Sequence, residues 1–260
     1  MSKSNKPAPK QKSPRASVYI IGDSPLVEEY AGLCQAKGYD VTVQWNAGPP
    51  KERAFRHSAV IPSKTSIALE VTMADAVLKR RNIERLDKAL DAATAVLSTS
   101  ILTTATEQSS WIRSKHRLAG FGALPGFADR PLVEVAPTVF TPAETIEVVR
   151  TFFRSLGKEI EIVQDRVGMV FPRILCQIIN ESVFALQEDV ATPADIDTAM
   201  KLGVNYPLGP VEWADAIGFS TVNAVLSALE HDLREDRYRV APLLKQMAES
   251  GAWWRRTEER

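Results

Sequence analysis

Residues 16–163 alternate between short β-branched, apolar runs and longer stretches of helical periodicity, and after Gly168 the strand-like runs stop. This change of pattern constrains the fold more than any other feature of the chain. Alternating strands and helices argue for βα units and a doubly wound, mostly parallel sheet, whereas an unbroken series of helices argues for a separate helical domain. Strands are expected at 17–22, 40–45, 66–70, 95–98, 118–122, 132–135 and 159–163, with helices at 26–37, 74–93, 105–114 and 142–156. Further helices are expected at 172–186, 193–202, 210–217, 219–231 and 241–250, several opened by a cap and proline pair such as Thr192-Pro193 or Gly209-Pro210. The fold class is therefore α/β followed by an all-helical part. The domains are 16–167 and 168–260, preceded by a tail of residues 1–15.

Composition narrows the partners. Lys+Arg and Asp+Glu both number 32 in 260 residues, so no net field draws the chain to nucleic acid or a membrane surface. No apolar run reaches the roughly 18 residues of a spanning helix, and no secretory apolar region opens the chain. Cys34 and Cys176 lie far apart in apolar helical contexts with no metal or redox spacing, as expected of reduced core thiols in a cytoplasmic protein. The tail carries Lys3, Lys6, Lys10, Lys12 and Arg15 with no acidic residue. It is expected to be a disordered, solvated basic segment, or else a weak tether to an acidic partner.

The stretch "VYIIGDSPLVEEYAGLCQAKGYDV" (residues 18–41) has the strand, tight turn, helix and second strand of a dinucleotide-binding unit. In G-x-G-x-x-G the first glycine makes the turn, the second admits the pyrophosphate and the third lets helix and strand pack closely. The three positions are Gly22, Ser24 and Val27. Asp23 adds a carboxylate that repels phosphate, and Pro25 removes a backbone donor near the helix start. The acidic residue that would accept the ribose hydroxyls falls at Trp45, which is read as packing rather than as a stacking platform.

Together with "ADIDTAMKLGVNYPLGPVEWADAIG" (194–218), "LVEVAPT" (132–138), "LGKEIEIVQDRVGMVFPRIL" (156–175) and "IALEVTMADAVLKRRNIERLDK" (67–88), this order resembles the 3-hydroxyacyl-CoA dehydrogenase family. The resemblance implies a Rossmann-like N-terminal domain and a helical C-terminal domain that forms a two-fold dimer. It also implies NAD as cofactor and oxidation of a 3-hydroxyacyl-CoA in fatty-acid or related acyl-CoA metabolism. The family's general base is a histidine, oriented by a glutamate twelve residues later. In "LAGFGALPGFADRPLVEV" the glutamate is Glu134, and the base position is Gly122.

Other family positions carry over unevenly. The substrate-contacting serine falls at Ile101, beside Thr99 and Ser100. The asparagine of the helix entry is Pro172, followed by a retained Arg173. A cofactor-contacting lysine is matched by Lys79, although its upstream glutamate is Ala74; a lysine on a helix is ordinarily solvated. Arg256 stands for a basic residue of the terminal tail. The helical hairpin that grips CoA is replaced by residues 46–65, read as a loop in which Lys51, Arg53, Arg56 and His57 form either a solvated surface or a residual anion patch. His116 and His231 are read as surface histidines.

These substitutions predict a pseudoenzyme with dehydrogenase activity weak or lost. It would serve as a scaffold or regulatory partner, a homodimer or a heteromer with an active homologue, with acyl-CoA as a possible ligand. The alternatives are an active NAD-dependent oxidoreductase on a 3-hydroxyacyl-CoA or related hydroxy acid, or a binding module using the cleft for another acyl or nucleotide ligand. In the active case Glu134 and Lys79 carry the site, and Gly22 and Ser24 line the cofactor turn.

Overall fold

A computed structural model describes residues 16–50, 54–73 and 75–251; the basic tail, Lys51, Arg53, Ala74 and Arg256 lie outside them. Strand β1 (Ser17–Gly22) is followed by helix α1 (Leu26–Ala36) and strand β2 (Asp40–Trp45). β1 is a continuous apolar run because helices cover both sheet faces, and its Val18, Tyr19, Ile20 and Ile21 are fully buried. Next come β3 (Arg56–His57), β4 (Ile67–Val71), α2 (Ala76–Ala89), β5 (Ala95–Thr99), α3 (Ala105–Ser109), β6 (Leu118–Phe121), β7 (Leu132–Pro137), α4 (Ala143–Ser155) and β8 (Glu159–Ile162).

These strands form one eight-stranded sheet in the order β3-β2-β1-β4-β5-β6-β7-β8. All neighbours are parallel except β6 and β7. The strand order reverses between β1 and β4, so the crevice at their carboxyl ends is where a doubly wound sheet offers a ligand site.

Two elements differ from expectation. The loop after β2 includes the short edge strand β3, held where Arg56 pairs with Asp40 at 3.2 Å and His57 stacks on Trp45 at 5.6 Å. Helix α3 stops far short of residue 114. The Ser109 and Ser110 hydroxyls donate back to the Thr106 and Glu107 carbonyls, and the backbone N–H groups of Arg113 and Ser114 donate to Asp87 instead of continuing the helix. The fully buried Arg117 closes the end of α2 by donating to the carbonyls of Leu86, Leu90 and Asp91 and to Asp87.

No strand follows β8 among the described residues. Helices α5 (Phe171–Gln187), α6 (Pro193–Gly203), α7 (Pro210–Ile217), α8 (Phe219–Leu233) and α9 (Pro242–Ser250) enclose a second core that includes Leu175, Ile179, Val225, Leu229 and Leu244. Each such buried side chain contributes about 1.5–3 kcal/mol. The Thr192 hydroxyl caps α6 by accepting from Asp195 N, and the Asp197 carboxylate caps α7 by accepting from Val211 N and Glu212 N. Among the described residues no helix is long and apolar enough to cross a membrane. Cys34 and Cys176 are unpaired and buried, and burial pushes each thiol up to about 12.

Candidate functional site

Gly22 ends β1 with φ +154°, and a Cβ there would stand 2.5 Å from the Val71 carbonyl carbon, so only glycine fits this crossing of β1 and β4. Beyond it the turn folds back on itself. One oxygen of Asp23 accepts from Asn46 Nδ2 at 2.7 Å and the other from Met73 N at 2.8 Å. Asn46 also donates to Thr72 Oγ1 at 2.9 Å and accepts from Asn82 Nδ2 at 2.8 Å. The Ser24 hydroxyl donates to Glu28 Oε1 at 2.6 Å, and Trp45 Nε1 donates to the same oxygen at 2.8 Å.

A pyrophosphate needs free donors at this crevice and no competing anion. The donors nearest the strand ends are engaged by Asp23, Thr72 and Glu28, and a carboxylate already stands among them. These residues do not fit the family's dinucleotide. Val27, at the third glycine position, is completely buried in the sheet core, and Trp45 is buried as packing with one hydrogen bond.

Lys79 corrects the expectation of a solvated helix lysine: only 5% of it is exposed. Its ammonium donates to Glu70 Oε2 at 2.5 Å, Thr99 Oγ1 at 2.9 Å and the Thr72 carbonyl at 3.1 Å, which uses all three protons. Glu70 is fully buried on β4 and also accepts from Ser98 Oγ and Thr72 N. Burial lowers the Lys79 pKa, opposed by the charges of Glu70 and Asp23. Sequence reasoning missed Glu70; the available signal was a carboxylate inside an otherwise apolar central strand. A cavity of about 190 Å³ adjoins this network at Thr72, Met73, Thr99 and Leu102. Ile101 is buried in the helical core and supplies no hydroxyl, while Ser100 Oγ donates to the Ser98 carbonyl.

Gly122 and Glu134 do meet. Gly122 N donates to the Glu134 carbonyl at 2.9 Å, and a Cβ on Gly122 would lie 3.6 Å from Glu134 Oε2. The Glu134 carboxylate accepts from Val170 N at 3.0 Å and Phe171 N at 2.7 Å, which binds it to the start of α5. Met169 Sδ would lie 3.2 Å from that Cβ, so part of the space for a larger side chain is already taken. Beside Gly122 opens a cavity of about 370 Å³ between the sheet and the helical part. Pro172 lines it, and the neighbouring Arg173 bonds the Tyr238 hydroxyl. His116 lies 3.1 Å from the Ala92 carbonyl and His231 is exposed on α8, so neither joins the site. No cluster of three or more metal-ligating side chains occurs among the described residues.

Residues 168–260 match the family model for the 3-hydroxyacyl-CoA dehydrogenase C-terminal domain. A 3-hydroxybutyryl-CoA dehydrogenase from Bradyrhizobium diazoefficiens is 30% identical over 192 residues, covering 74% of this chain and 66% of the relative. The chain belongs to the 3-hydroxyacyl-CoA dehydrogenase family. A family enzyme from Clostridioides difficile, also a 3-hydroxybutyryl-CoA dehydrogenase, is 29% identical over 74% of this chain and 68% of its own length. The matches thus span about two thirds of these relatives. The crystal structure of (S)-3-hydroxybutyryl-CoA dehydrogenase from Ralstonia eutropha superposes with a TM-score of 0.77 at 25% identity, covering 94% of this chain and 96% of that one. The family fold therefore extends through the N-terminal part as well.

Proposed function

We propose that this member of the 3-hydroxyacyl-CoA dehydrogenase family retains the scaffold without dehydrogenase turnover. It then serves acyl-CoA metabolism as a structural or regulatory component, as a homodimer or beside an active homologue, joined through its helical part. The observation that carries the reading is the pair at the reaction centre: Gly122 offers no proton acceptor where the family places its base, and both oxygens of Glu134 accept from the α5 backbone. Loss of a general base alone costs about 10²–10⁴-fold in rate. The crevice adds to this. A carboxylate such as that of Asp23, about 4 Å from a phosphate charge, repels it by roughly 4 kcal/mol at an effective dielectric constant near 20, about a thousandfold in affinity.

Two measurements on the full chain test the reading. NADH fluorescence titration is expected to show no saturation below about 1 mM, and acetoacetyl-CoA with NADH is expected to give no turnover. Saturable NADH binding together with reduction of acetoacetyl-CoA that disappears in Glu134→Gln overturns the proposal in favour of an active oxidoreductase with a rebuilt site.

A further inference from the structure

Residues 122–131 join two adjacent antiparallel strands, β6 and β7. Such a connection ordinarily takes about 2–5 residues and runs over the surface. This one feeds both cores of the molecule. Ala123 and Ala128 are buried in the sheet core, which includes Phe121 and Val135. Leu124 and Phe127, between them in sequence, are buried in the helical core, which includes Leu175 and Ile217. Only 3% of Leu124 and 9% of Phe127 is exposed.

The segment is anchored at four other elements. Gly126 N donates to Glu29 of α1 at 2.8 Å. A Cβ on Gly126 would stand 3.3 Å from the Ala216 carbonyl oxygen, so the turn lies directly against α7, and its φ of +79° suits glycine. The Phe127 ring centre lies 5.3 Å from that of Phe171 on α5. Next to β8, Lys158 Nζ donates to the Arg130 carbonyl at 2.6 Å, and Lys158 is buried.

Two parts of a chain joined by one linker are free to hinge about it. Here the linker is residues 163–170, between β8 and α5. A second attachment, made by side chains remote from that linker in sequence, removes the freedom. We infer that residues 123–130 form a strap that pins the helical part to the sheet, so that the two parts open and unfold as one body and the cleft between them keeps one width. The strap acts in the same way whether or not the chain turns over a substrate, because it concerns the joint alone.

The test is native-state hydrogen exchange on the full chain, read by mass spectrometry. The most protected amides of β1 and β4 are compared with those of α5 and α8. A pinned joint gives both sets the same protection within about threefold. Leu229→Ala removes a completely buried side chain from the helical core. It is expected to speed exchange about a hundredfold, in β1 and β4 as much as in α8. Leu124→Ala/Phe127→Ala releases the strap from the helical core and is expected to separate the two sets, with α8 exchanging about tenfold faster than β1. If Leu229→Ala speeds exchange in α8 and leaves β1 and β4 unchanged, the parts open independently and the inference fails. Equal acceleration of both sets in Leu124→Ala/Phe127→Ala also overturns it, because the joint then lies outside the strap. The Leu229→Ala comparison keeps the native loop, so it decides the matter even where the double variant does not fold.

Discussion

Asp23 separates a structural plug from a ligand-binding residue by the sign of its effect on stability. If its carboxylate closes the crevice for the chain's own benefit, Asp23→Ala removes the acceptors of Met73 N at 2.8 Å and Asn46 Nδ2 at 2.7 Å. Asn46 keeps a second acceptor in Thr72 Oγ1, so the lasting loss is one backbone donor and one charge-assisted bond. Such bonds contribute about 1.5–3 kcal/mol each. Asp23 and Met73 are both half-buried, so water recovers part of this, and a net cost of about 2 kcal/mol is expected. Lys79 also loses a carboxylate that favours its charged form. With a urea slope of about 2 kcal/mol per molar, the unfolding midpoint falls by about 1 M. Residues held for a ligand behave in the opposite way, because their removal commonly leaves stability unchanged or improves it. An unchanged or raised midpoint in Asp23→Ala, accompanied by the appearance of NADH binding, refutes the plug and returns the crevice to the cofactor.

The remaining predictions concern Glu134, Glu29 and Leu202. Glu134→Ala is expected to lower stability by about 2 kcal/mol and Glu134→Gln by about half as much, since the carboxylate caps the 17-residue α5 at two backbone donors; urea midpoints identical to wild type would leave Glu134 without a structural role. Glu29 accepts from Gly126 N at 2.8 Å, and burial raises its pKa, opposed by the backbone N–H groups of Gly126 and Ala128. A raised native value means the native state is favoured by protonation and loses that advantage as pH rises through it. Glu29→Gln is therefore expected to be more stable than wild type by about 0.5 kcal/mol at pH 7, discounted for half-exposure, with the gap closing as urea melts are repeated toward pH 4.5. Leu202 is 82% exposed on α6. If α6 forms the assembly surface, Leu202→Glu halves the mass measured by light scattering, and an unchanged mass rules out that face.

The strands were legible because burial on both faces leaves a continuous apolar signature; 17–22 and 40–45 agree residue for residue with β1 and β2. Two-residue β3 has no periodicity to read, and α3 ends early because of Asp87, which lies well upstream in sequence. The site was less legible for the same reason. Lys79 occupies a polar position on a helix, and its burial depends on Glu70, Thr72 and Thr99 from two strand ends. The sequence disclosed the charge of Asp23 but not its partners Asn46 and Met73 N, one after β2 and the other after β4. Likewise the gap at Gly122 could be inferred from the family spacing. The use of Glu134 as an α5 cap could not, because it depends on where the helical part docks.

The two concave regions differ in their linings. In a crevice maintained for a dinucleotide, donors at the strand ends wait for phosphate oxygens; here Asp23, Asn46, Asn82, Thr72 and Met73 N satisfy one another, and binding would have to break those bonds before forming any. The cavity at Gly122 is walled mainly by apolar side chains, with Tyr30, Arg130 and Glu134 among its lining residues. Side-chain volume is thus small at Gly122 and Ala123 beside the cavity, whereas the Asp23 carboxylate and Ser24 hydroxyl of the turn between β1 and α1 are tied to Asn46, Met73 N and Glu28.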